Sequence, residues 1–240
     1  MPRTGRAQPI WARHGRGCLT AVFGLGCFSE AAAAPTTVFH EDFESESILG
    51  DTILVERSGA FVLTEGIGIQ IHRNGNASGS SFSGDHYVAL DIDLVSDIGR
   101  SPNSAMAALV DFEVGSSYEI GFAYRPLSFI EDDSIIEVTL GEMDSQGVFA
   151  PQWLAGIASA SRLTQPDWLL VTFAVTAAEG MNAVQFAAGG PGTFQGGLLD
   201  TITIRQVPIS HMPVPGAGLL LVSGLAALGL RSRLRGPLTR

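Results

Sequence analysis

The sequence predicts an all-β fold: an antiparallel β-sandwich of the jelly-roll kind, flanked by an N-terminal signal helix and a C-terminal transmembrane helix. Three observations predict it. Between residue 38 and about residue 205 the apolar residues recur with period two. The runs are short, rich in Val, Ile, Phe and Tyr, and separated by Gly, Asn, Asp, Ser or Pro. No stretch in this region keeps a helical period for three turns, and no parallel βαβ spacing appears.

Taken in order, the strand-like runs begin with VFHEDFE, DTILVER, AFVLT, IGIQIHR, DHYVALDIDL and AMAALVDFE. In SYEIGFAYR, Tyr118, Ile120, Phe122 and Tyr124 share one face, and Glu119, Gly121, Ala123 and Arg125 the other. SIIEVTLGE alternates Ile136, Val138 and Leu140 with Glu137 and Thr139. FAPQWLAG reads as a loop carrying Trp153. DWLLVTFAVT puts Leu169, Val171, Phe173 and Val175 on one side, and NAVQFAAG and GLLDTITIR complete about ten strands. NGNASGSSFSGD, residues 74–85, has oxygen side chains at alternate positions but one charge and no flanking helices. It reads as a flexible Gly/Ser loop rather than a calcium loop.

Charge is unevenly placed along the 240 residues. Four arginines lie at each end, leaving six in the middle against 23 of the 24 acids, a balance of −17 there. Such a surface repels phosphate backbones, so nucleic acid is not an expected partner. The chain has no lysine, which excludes a P-loop lysine, a Schiff-base lysine and a Ser-Lys nucleophile pair. Cys18 and Cys27 both precede the β region, which therefore has neither a disulfide nor a thiol nucleophile.

The two ends read as addresses. Residues 1–33 have a basic start, an apolar stretch over 18–28 and small residues from Ala31 on, the layout of a signal peptide cleaved after Ala33. A lipoprotein reading at Cys27 competes with it, although Gly24 stands where such signals carry leucine. The β-sandwich is expected over 34–207, and a sorting and anchor segment over 208–240. Residues 216–230 form an apolar run of about 22 Å as a helix, short for a ~30 Å hydrocarbon core. Arg231, Arg233 and Arg235 follow it, the cytoplasmic flank of a positive-inside anchor.

Pro213, Val214, Pro215 and Gly216, the Leu-rich run and the arginine cluster resemble, in that order, the PEP-CTERM family of sorting tails in its Val-Pro-Leu-Pro-type variant. The resemblance covers about the last 30 residues. It implies an inner-membrane-anchored precursor, processed by an exosortase-like enzyme and released or attached at the cell surface, often beside exopolysaccharide. The prolines bias Met212 and Val214 toward extended backbone, the conformation a protease cleft accepts.

The middle carries further patterns: Glu41-Asp42-Phe43-Glu44 near its start, GDHYVAL at 84–90, WLLVTF at 168–173, and Gly196 or Gly197 leading to Asp200. Together they resemble the galactose-binding-like jelly rolls of secreted carbohydrate-binding modules. That resemblance implies adjacent first and last strands with a structural Ca²⁺ held by Glu44 (or Asp42) and Asp200, backbone carbonyls completing the shell. It also implies a polysaccharide partner and packing for Trp168. Sugar binding needs exposed aromatic faces, and Trp153, with Tyr124 and Phe129 behind it, is the candidate platform.

Catalytic signals are weak. His40, His72 and His86 lack a metal-binding spacing, no Gly-x-Ser-x-Gly elbow occurs, and nothing singles out an acid–base pair among carboxylates such as Asp91/Asp93 and Asp132/Asp133. The sequence therefore reads as an exported surface or matrix protein, structural or adhesive. A secreted glycan-modifying enzyme and a permanently anchored protein are the rival readings.

Overall fold

The computed structural model describes residues 33–75, 79–91, 103–129, 134–190 and 197–208, all within one compact unit. The signal stretch up to residue 32 and the tail from residue 209 on lie outside them. Thirteen strands are described. They are β1 (Thr36–Glu41), β2 (Thr52–Val55), β3 (Arg57–Ser58), β4 (Phe61–Glu65), β5 (Ile69–Arg73) and β6 (His86–Ala89). After these come β7 (Ala105–Leu109), β8 (Ser117–Pro126), β9 (Ile135–Met143) and β10 (Phe149–Ala158). The last three are β11 (Leu169–Thr176), β12 (Ala183–Gly189) and β13 (Gly197–Val207).

They form two sheets, and every pairing described is antiparallel. The first is seven-stranded, in the order β11-β8-β13-β6-β5-β2, with β1 also paired to β13. The second is six-stranded, in the order β10-β9-β12-β7-β4-β3. Alternation fixes which face each strand buries. Tyr118, Ile120, Phe122 and Tyr124 of β8 all point inward, as do Met106, Val138, Leu140, Val184 and Phe186 of the second sheet. Phe122 meets Phe186 edge to face at 5.3 Å, joining the two layers. Each buried side chain of this size stabilises the fold by about 1.5–3 kcal/mol.

Two features differ from the sequence reading. The stretch read as a loop around Trp153 is strand β10. Pro151 and Gly156 hide it, because an edge strand tolerates proline and β10 shifts register twice, between Pro151 and Trp153 and between Leu154 and Gly156. Strand β3, two residues long, has no sequence signal of its own.

Strand β13 changes partner along its length. Leu198 and Leu199 pair with β6, a bulge intervenes between Asp200 and Thr203, and Ile202 to Gln206 then pair with β1. Thr201 carries φ 46° in the bulge. The first and last strands therefore lie side by side.

Candidate functional site

Strand β13 and the turn after β1 bring Asp200 and Glu44 to one segment, 79–86. Asp200 is fully buried, and its Oδ2 accepts the N–H groups of Phe82 and Ser83 at 2.8 and 3.0 Å. Burial pushes its carboxyl above the usual range, against the opposing pull of those hydrogen bonds. Glu44 Oε1 accepts from the Asp85 and His86 N–H groups, both at 2.8 Å, with His86 Nδ1 3.5 Å from its Oε2. Gly84 sits between at φ 58°, and a Cβ there would meet the Glu44 carboxylate at 2.4 Å. Trp168 Nε1–H donates to the Ser80 carbonyl at 2.9 Å.

The described part of the expected flexible loop, residues 79–85, is thus pinned at both ends. Residues 76–78 lie outside the described set. Trp168 does pack, though against Tyr87 at 5.9 Å on the outer face of the first sheet rather than in the central core.

The acids expected to hold calcium therefore face main-chain hydrogens. Asp42 is half-buried, and its Oδ1 accepts the Glu44 N–H at 3.2 Å. Glu41, which the sequence did not separate from its acidic neighbours, accepts from Phe43 N–H at 2.9 Å and Ala60 N–H at 3.1 Å. A hard cation needs six to eight oxygen ligands, and N–H donors aimed at these carboxylates compete for the same lone pairs. Among the described residues no three His, Cys, Asp or Glu side chains gather where they could share a metal ion.

The three aromatic candidates go to three places. Tyr124 is buried in the core, its hydroxyl donating to the Ser134 carbonyl and accepting from Ala160 N–H at 3.1 Å. That burial removes it as a sugar platform. Phe129 is 58% exposed, with the Arg162 guanidinium 5.9 Å from its ring centre. Trp153 is 37% exposed on edge strand β10, opposite Leu140.

A different face assembles more. On the outer side of the second sheet, β7 contributes Ala105, Ala107 and Leu109, and β12 contributes Ala183, Gln185 and Ala187. Because β7 offers only methyl groups there, the Gln185 amide reaches over it and donates to Thr64 Oγ1 at 2.9 Å. Thr139 Oγ1 donates to Gln185 Oε1 at 3.1 Å, so a neutral hydrogen-bonded chain crosses from β4 to β9. Leu154 and Ile157 of β10, opposite Thr139 and Glu137, stand exposed at one margin.

An open cavity lies toward each end of β7. One, of about 550 Å³, is lined by Arg57, Val62, Leu109, Met143 and Gln146 among others. The second, of about 400 Å³, is lined by Glu65, Asn103, Ala105 and Ala187 among others. Both are within the size range of small-ligand sites. Asp144, at the rim of the larger, has Oδ1 committed to the N–H groups of Gln146 and Val148 at 2.8 and 2.9 Å. The clue in the sequence was Gln185, one amide among alanines on the outward side of NAVQFAAG.

No protein-family model and no curated protein matches the chain. Solved structures of similar architecture include the CBM22-1 xylan-binding domain from Paenibacillus barcinonensis, with 12% identity over 75% of this chain and 100% of that one, and TM-score 0.43. A Clostridium thermocellum xylanase holding CBM22-1 and GH10 modules, complexed with xylohexaose, matches at 11% identity and TM-score 0.47. That match covers 76% of this chain and 31% of the xylanase. A cleaved adhesin domain of Lys-gingipain from Porphyromonas gingivalis matches at 16% identity and TM-score 0.45, over 70% of this chain and 97% of that one. Identities this low and TM-scores under 0.5 transfer no ligand.

Proposed function

We propose that this chain is an exported surface or matrix protein whose β-sandwich binds neutral polysaccharide along the outer face of its second sheet. One observation carries the reading: in a domain with a charge balance of −17, the stretch of that face from Thr64 across Gln185 to Thr139 is uncharged, with Glu137, Glu65 and Asp144 at its margins and an open cavity toward each end. Exposed Leu109, Leu154 and Ile157 supply apolar contact for sugar rings. Beneath them the buried Gln185 links the half-buried Thr64 and Thr139, which are the accessible polar groups of that layer. The face is shallow, its rim carboxylate Asp144 is tied into its own turn, and Glu56 and Glu65 line different cavities, which favours a binder over a glycan-modifying enzyme.

The full chain on an array of neutral and acidic polysaccharides is expected to bind neutral chains. Leu109→Asp and Leu154→Asp are each expected to weaken that binding at least fivefold with unchanged melting temperature. Blank neutral spots, or variants that bind as tightly as the parent, would overturn the reading.

Location belongs to the same proposal. Pro213, Val214, Pro215 and Gly216, the apolar run, and Arg231, Arg233 and Arg235 support a precursor held in the inner membrane until an exosortase-like enzyme acts. These residues lie outside the described set, and among the described residues no helix is long and apolar enough to cross a membrane. Mass spectrometry of the mature termini in membrane and surface fractions is expected to find the tail removed, and removal to fail when the three arginines are replaced. An intact C-terminus in every fraction favours the permanently anchored form.

A further inference from the structure

Gly121 lies midway along β8, opposite Thr172 of β11 on one side and Thr203 of β13 on the other. Glycine weakens a strand, because it loses most freedom on folding and offers no side chain to pack. Packing does not demand it here. A Cβ at Gly121 would meet Thr172 Oγ1 and the Thr203 and Val171 carbonyl oxygens at 3.8 Å, which is ordinary contact. The missing side chain leaves a notch of about 200 Å³ on the outer face of the first sheet.

A second costly choice borders the same notch. Thr201 holds φ 46°, a backbone region that a β-branched residue rarely adopts. The bulge between Asp200 and Thr203 sets it there, and its hydroxyl donates to Asp200 Oδ1 at 3.0 Å. Backbone strain beside a glycine that the packing does not need marks a site rather than a scaffold. The walls are short: Thr172 and Thr203 stand about 10 Å apart, two strand spacings across β8, and Leu170 follows on the β11 side. His40 Nδ1 lies 3.2 Å from Thr203 Oγ1 and orients that hydroxyl. Opposite charges meet at one end, where Glu119 of β8 and Arg205 of β13 are direct register partners and both line the notch.

We propose that this notch binds a small zwitterion, a free α-amino acid, whose carboxylate meets Arg205 and whose ammonium meets Glu119 while its side chain lies over Gly121 against Leu170. Charge and size select the ligand. An anion alone is opposed by Glu119 and by the domain's balance of −17, and a cation alone faces Arg205 at contact distance. A molecule with both charges and no net charge meets neither penalty. Charges borne on one carbon suit two side chains that face each other across neighbouring strands. The volume is below the ~300 Å³ of larger ligand sites, and upright threonines give a lone sugar ring no flat platform. The notch lies on the sheet opposite the polysaccharide face and does not rest on that reading.

Titration calorimetry of the full chain in detergent, which occupies the apolar run at 216–230, tests this with L-alanine as the probe. Heat that saturates at millimolar alanine is expected, with acetate, methylammonium and glucose each at least tenfold weaker. Arg205→Gln and Glu119→Gln are each expected to weaken alanine at least tenfold. Gly121→Val is expected to abolish binding and to keep or raise Tm, since a β-branched residue suits a strand. Should Gly121→Val lose the fold, the two charge variants decide. Leu109→Asp, on the outer face of the other sheet, is expected to bind alanine as the parent does. A parent that gives no heat with alanine overturns the proposal, as does acetate, methylammonium or glucose binding as tightly. Alanine binding that survives in Arg205→Gln or in Gly121→Val, or that is lost in Leu109→Asp, overturns it too.

Discussion

At the scale of single residues, acidic side chains here act as acceptors for backbone. Glu41, Glu44 and Asp200 each take two main-chain N–H groups, and in each case the carboxylate fixes a turn. Asp200→Ala strips the partners from Phe82 and Ser83 and is expected to cost about 2 kcal/mol, a fall of roughly 4–8 °C in Tm. Asp200→Asn keeps an acceptor and sheds the buried charge, so it is expected to stay within about 1 kcal/mol of the parent. If amides fill these carboxylates, EDTA leaves Tm where it was; a fall on chelation, restored by Ca²⁺, would reinstate the metal. His72 gives a separate test in pH. Its ring stacks on Tyr87 at 5.2 Å, its Nδ1 lies 3.1 Å from Thr52 Oγ1, and burial holds its pKa at about 4 against 6.5. Between pH 6.5 and 4 the unfolded chain takes a proton that the folded one refuses, so acidification through that window lowers stability by about 3 kcal/mol. Asp200 works in the opposite sense, since its raised folded pKa adds stability as pH falls toward 3.8. Urea unfolding at pH 6.5 and 4.5 should show the His72 loss in the parent and a flatter dependence in His72→Gln. Parallel slopes would refute the assignment.

Elements were legible in the sequence where alternation is clean. The inward face of β8 reads directly from SYEIGFAYR, and the inward Ile136, Val138 and Leu140 of β9 from SIIEVTLGE, because in a two-layer sandwich period two decides burial. Strand β10 was not legible. Its bulges break the alternation, and its proline is an argument against a strand everywhere except at an edge. Nor was the pinning of 79–85 legible: its partners, Glu44 and Asp200, lie about 40 and 120 residues away, and composition alone gave a flexible loop. Tyr124 shows the same limit, since an aromatic on a strand reads equally as platform or core until the facing sheet is known. The pinned turn makes its own prediction. Gly84→Val puts a β-branched side chain at φ 58° and into the space of the Glu44 carboxylate. It is expected to destabilise by more than 2 kcal/mol and to open 79–85 to limited proteolysis. A variant as stable and as protease-resistant as the parent would mean the turn is not held by Glu44.

For the whole molecule the governing quantity is charge. Among the described residues, His40 lies 3.8 Å from Asp42 and His86 3.5 Å from Glu44. With 23 acids and six arginines over residues 34–207, acids outnumber arginines nearly four to one and repulsion is spread over the surface. Apolar burial between the sheets and the carboxylate–amide contacts must hold the fold against it, and neither depends strongly on salt. Screening should then act almost entirely on the repulsion. The Debye length shrinks from about 30 Å at 0.01 M to about 8 Å at 0.15 M, less than the spacing of many surface charges. Tm is therefore expected to rise by several degrees between those two salt concentrations at pH 7, in NaCl and KCl alike. A Tm that falls with salt would mean that attractive pairs dominate, and would contradict the charge distribution described here.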